Sequence, residues 1–231
     1  MRTLWIALAC IAVCLIPLCA GLLWRGRYGR MRPVWMGVLG FFAFAGIVEM
    51  LFVMLVLSAL GPVSRAVNAS PVRLVVFSCL CAGIFEECGR YAIFQTGLSK
   101  CGGRSVAAGY AAGHFGAEIL MLTVWPLLSN APDVYGAVQA GITVYERAVA
   151  CAGHTALSVL VWYAFCEKKP AVLVLAVLLH AACDAPLGMF RYGLTGQPSA
   201  EVFFGLFVTV LCLIALGYWK RLPAGAMIRD K

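Results

Sequence analysis

Seven stretches of about twenty apolar residues follow one another with short connections, near 3–24, 34–60, 74–98, 106–128, 134–165, 171–190 and 201–219. About 20 such residues carry an α-helix across about 30 Å of hydrocarbon. Composition agrees: 63% of the 231 residues are hydrophobic and 12% are charged, where a soluble domain carries about 25% charged residues. The expected fold is therefore all-α, a polytopic membrane helix bundle of about seven spans. It forms a single transmembrane domain over 1–231 without a soluble appendage. The fifth stretch runs past what a bilayer needs, so part of it extends outside.

Basic residues alternate between the connections. With the N-terminus outside, twelve of the 18 Lys and Arg fall inside, among them Arg25, Arg27, Arg30, Arg32, Lys100, Arg104, Lys168, Lys169, Lys220, Arg221, Arg229 and Lys231. Arg2, Arg65, Arg73 and Arg191 fall outside. A Lys/Arg excess in short loops marks the cytoplasmic side, which predicts N-out and C-in. The net charge of +8 is accounted for by loops that face anionic lipid, not by nucleic-acid binding. The first stretch is longer than a signal-peptide core and its arginines follow it, so it reads as a retained span.

The opposite sign of charge lies in the wrong place for loops. FEECGRY, from Phe85 to Tyr91, sets Glu86, Glu87 and Arg90 inside an otherwise apolar run. Glu49, Glu118, Glu146 and Asp184 also fall in spans, as do Arg147 and all three histidines, His114, His154 and His180. A charge at a helix centre costs roughly 2.5–3.5 kcal/mol. Eight left alone would cost roughly 20–28 kcal/mol, so these groups have to converge. Helical spacing allows it: Glu86 and Arg90 lie four apart, Glu87 and Arg90 three, His114 and Glu118 four, His180 and Asp184 four. Glu146 and His154, eight apart, return to within about 80° on the helix. The third to sixth spans thus each carry a polar stripe, and a site core over 80–190 follows. The first and last spans carry none and read as lipid-facing or scaffold helices. Glu49 stands alone on the second span, as a cavity residue or a snorkelling one.

Gly109 and Gly113 form a GxxxG pair that suits close helix packing. The eleven cysteines lie mostly in apolar spans without a CxxC pair, and read as small hydrophobes. Histidines spaced from carboxylates, with an adjacent acid pair, make an inventory that suits zinc or a similar divalent ion. No HExxH motif is present, so the ligands would come from separate helices. Arg90 and Arg147 stay charged and serve to orient carboxylates, Glu146 included. A proton- or ion-coupled transporter also needs buried Glu, His and Arg, and a catalytically inactive binding or maturation protein could share the layout.

EExxR at Glu86–Arg90, GHxxxE at His114–Glu118, ERx6H at Glu146–His154 and HxxxD at His180–Asp184 together resemble the YhfC family of intramembrane metalloproteases, related to the wider PrsW and CAAX-protease superfamily. The resemblance implies a helix bundle of the bacterial cytoplasmic membrane that cleaves membrane-embedded peptides. It implies that Glu86 or Glu87 activates water. It also implies that His154 and His180 are the core histidines, that His114 with Glu118 completes the site, and that Asp184 fills an Asp/Asn position. These five residues, His114, Glu118, His154, His180 and Asp184, are then the expected metal set, with zinc the expected ion. CAAX-type relatives have also been assigned a metal-free glutamate mechanism. The implied partners are lipid and a membrane-protein or peptide substrate.

Overall fold

A computed structural model describes residues 1–28, 30–130, 132–224 and 227–228. The basic residues Arg229 and Lys231 lie outside the described residues. All seven apolar stretches are helices: α1 (Arg2–Tyr28), α2 (Arg32–Ser58), α4 (Pro71–Gly97), α5 (Ser105–Asn130), α6 (Ala137–Cys166), α7 (Pro170–Arg191) and α8 (Gln197–Trp219). A short α3 (Gly61–Asn68) precedes α4 and is bent away from it by 114°. Six helices are long and apolar enough to cross a membrane. The seventh, α4, qualifies only together with α3, because its own middle carries FEECGRY. The chain is thus an all-α, multi-pass membrane bundle. A two-residue antiparallel pairing of Cys101–Gly102 with Met227–Ile228 is the one strand contact among the described residues.

Local chemistry sets the helix ends. Ser70 caps α4, its hydroxyl accepting from the Arg73 amide at 3.3 Å, with Pro71 in the first turn. Proline also opens α7 at Pro170. The thirty residues of α6 rise about 45 Å at 1.5 Å each, longer than the hydrocarbon layer, as the sequence led us to expect. Pro126 cannot donate to a helical hydrogen bond and crowds the carbonyl four residues back. The turn before it, Leu120–Val124, widens to a π-helical pattern. A second π-helical stretch, Phe41–Glu49, forms the middle of α2; neither end of it holds a proline. Pro186 is accommodated without a break, and α7 continues to Arg191.

The helices meet where side chains are smallest. A Cβ added at Gly113 would collide with the Val34 backbone of α2, and one at Gly37 with the Tyr110 carbonyl of α5. Gly83 plays the same part for α4 against the Val177 carbonyl of α7. The expected GxxxG pair is therefore split: Gly113 faces α2, whereas Gly109 faces the Trp24 ring of α1. The apolar core runs through Phe94, Tyr110, Phe115, Leu160 and Trp162. Lipid-facing leucines such as Leu4, Leu8, Leu15 and Leu22 line one side of α1, while Ala9 and Val13 are buried on the other.

Candidate metal centre

The polar stripes converge at mid-bundle. Glu87 and Arg90 on α4 are fully buried, and their ion pair measures 3.2 Å. The other Glu87 oxygen lies 2.7 Å from His180 Nδ1 on α7. Arg90 has therefore chosen the partner three residues away, one of the two that spacing allowed. Glu86 is left to the histidines: its Oε2 lies 3.0 Å from His114 Nε2 on α5 and 3.9 Å from His154 Nδ1 on α6. Burial explains the choice. Glu87 has no access to water and an unpaired charge there would cost most, whereas the Glu86 side chain is 12% exposed.

The far side of each core histidine carries a carboxylate. His154 Nε2 lies 2.7 Å from Glu118, and His180 Nε2 lies 3.3 Å from Asp184. For His154 the tautomer follows. Arg90 Nη2 is 3.4 Å from His154 Nδ1, and a guanidinium can only donate. Nδ1 is then the acceptor, and the Nε2 hydrogen points at Glu118. Arg90 Nη1 also donates to the His154 carbonyl at 3.4 Å, and Ser158 donates to the same oxygen at 2.7 Å. Glu118 is steadied in turn by Arg147 at 2.9 Å, which pairs closely with its neighbour Glu146.

All ten expected site residues thus lie in one connected set, from Glu86 to Asp184, but they divide by position. Two groups have donor atoms within 4.8 Å of one another: Glu86 with His114 and His154, and Glu86 with Glu87 and His180. Glu118 and Asp184, expected among the ligands, meet the Nε2 atoms of His154 and His180. Glu86 and Glu87, expected to act on water, supply the oxygens of the two groups that could hold an ion. Two imidazoles and a carboxylate suit zinc or a similar ion, so the donors present fit a divalent metal. His–carboxylate pairs behind the ligands are the usual support of such sites.

Three residues join the set that spacing did not point to. Glu49, at the end of the π-helical stretch, comes within electrostatic reach of Glu86, His180 and Asp184. Tyr110 is fully buried, with its ring 5.7 Å from the Arg90 guanidinium carbon and 5.8 Å from the His114 ring. Glu201 on α8 is buried and interacts with Glu146 and Arg147. The last span is therefore more than a lipid-facing helix. Its Phe204, Val208 and Leu211, with Glu118, His154 and His180, line a half-open cavity of about 60 Å³ beside the centre. Val202, Phe203, Leu206 and Val210 face outward. Glu201 begins the last apolar stretch, where a lone acid reads as the helix end.

With this geometry in view, the comparisons are informative. A family model described as YhfC intramembrane metalloprotease matches residues 12–132 and 133–204. A Bacillus subtilis (strain 168) protein, described as the uncharacterized membrane protein YhfC, is 25% identical over 246 residues, covering 93% of each chain. No solved structure matches the chain.

Proposed function

We propose, from the premise that this chain belongs to the YhfC intramembrane metalloprotease family, that it hydrolyses peptide bonds of membrane-embedded or membrane-proximal substrates in the bacterial cytoplasmic membrane. The observation that carries this reading is the buried meeting of Glu86 with His114 and His154 on one side and with Glu87 and His180 on the other. These two groups would hold divalent metal, which would polarise the scissile carbonyl and acidify a water.

The chain's own groups have distinct duties in this reading. Glu86, the more accessible acid of the pair, takes up the proton of the attacking water on its carboxylate and delivers it to the leaving amine. Glu87 stays charged between Arg90 and His180 and fixes α4 against α7. Glu118 accepts from the Nε2 atom of His154, whose Nδ1 faces Arg90 and Glu86, and Asp184 steadies the His180 ring from its Nε2 side. The apolar walls Phe204, Val208 and Leu211 keep bulk water away, which strengthens every charge interaction inside.

The test is a comparison of new protein N-termini in membranes from cells that express the wild type, Glu86→Gln or His154→Ala. Fragments seen only with the wild type, lost with chelator and regained with zinc, are the expected result. Identical termini for all three folded proteins would sink the protease reading.

A further inference from the structure

We infer that the centre holds two divalent ions, one on each side of a shared Glu86. The inference rests on the metal-dependent reading above and adds the number of ions and the residue between them. Donor atoms around one zinc lie within about 4.4 Å of each other, twice a bond of about 2.2 Å. The five inward donors do not form one such cluster. They form two groups with donor atoms within 4.8 Å, Glu86/His114/His154 and Glu86/Glu87/His180, and only Glu86 belongs to both. The histidine rings step across the centre, 5.2 Å from His114 to His154 and 5.7 Å from His154 to His180.

The support behind the ligands is doubled as well. Each cluster has its own histidine backed by its own carboxylate: His154 by Glu118 on α5, His180 by Asp184 on α7. Charge points the same way. Around the centre, the carboxylates of Glu49, Glu86, Glu87, Glu118, Glu146, Asp184 and Glu201 outnumber the guanidiniums of Arg90 and Arg147 paired with them. Unpaired charge is rarely kept inside a membrane bundle, and divalent cations would offset the excess. A shared carboxylate can release one oxygen to take up a proton, so the resting role of Glu86 agrees with its part in hydrolysis.

The experiment is metal counting on the full chain in detergent, loaded with zinc and stripped of loosely bound ion. The wild type is expected to retain two zinc per chain. His114→Ala and His180→Ala each retain one, and Glu86→Ala retains fewer than one. One zinc per wild-type chain, lost entirely by either histidine variant, would overturn the two-ion centre and leave the metalloprotease reading standing. No retained metal in a wild type that still cleaves would overturn both. Because a variant can fail to fold, the wild type is also loaded with manganese(II). Ions about 3.5–4 Å apart give an exchange-coupled paramagnetic spectrum, and the six-line signal of isolated manganese at full occupancy would refute the proposal.

Discussion

The inner Glu87–Arg90 pair and the outer Glu146–Arg147 pair use the same residue types in different surroundings. Glu87 and Arg90 have no exposed side-chain surface. In the outer pair, Arg147 is 12% exposed and Glu146 is 29% exposed. A buried pair that loses one partner strands the other, at about 3–5 kcal/mol. A pair in contact with water is worth about 0–1 kcal/mol. The chain spends its most buried positions on charges that must not change partners, and leaves water access to those that can. Glu86 sits between the two extremes, partly accessible and facing two histidines.

The largest effect separates Glu86 from every other acid. Glu86→Gln should lower cleavage of a defined membrane substrate by about 10²–10⁴-fold, with the fold intact by circular dichroism. A residual rate above a tenth of wild type would erase the distinction drawn here. Next comes Arg90→Met, which should destabilise the protein by about 3–5 kcal/mol in denaturant unfolding in detergent micelles. Adding Glu87→Gln should recover most of that loss, because the stranded charge is then gone. Glu118→Gln follows, with about a 10–100-fold loss in metal affinity by competition with a zinc chelator. Asp184→Asn should fall at the lower end of that range, since the Asp184 side chain is 39% exposed. Smallest is Glu146→Gln, which should change unfolding free energy by less than about 1 kcal/mol. If Glu146→Gln cost as much as Arg90→Met, burial would not be what divides inner from outer.

Spans and stripes were readable in the sequence because both are periodic. Apolar length located every long helix to within about four residues. Offsets of three and four put His114 with Glu118 and His180 with Asp184 on common faces. Offsets do not say which neighbouring helix a stripe meets, nor which nitrogen of a histidine faces inward. Glu87 rather than Glu86 takes Arg90 because it is the more deeply buried acid, packed against His180 of α7 in a contact between residues 93 apart. Glu118 and Asp184 meet the Nε2 atoms of His154 and His180 for the same reason: which ring nitrogen they meet depends on ring orientation, which spacing does not encode. Glu49 and Glu201 carried no stripe. Their roles come from a π-helical turn in α2 and from the packing of α8 on α6, where the Tyr145 hydroxyl donates to the Glu201 carbonyl at 3.2 Å.

The cavity beside the histidines measures about 60 Å³, room for a few water molecules, whereas pockets for small ligands run to about 300–1,000 Å³. An extended peptide does not fit inside it. Its lipid-side wall is one helix, α8, held to α6 by the Tyr145 contact and by Val208 against Gly153. If the chain hydrolyses peptides as proposed, partings of α8 from its neighbours would pace turnover apart from bond cleavage itself. Stiffening the bilayer should lengthen the interval between those partings and leave the hydrolytic step itself untouched.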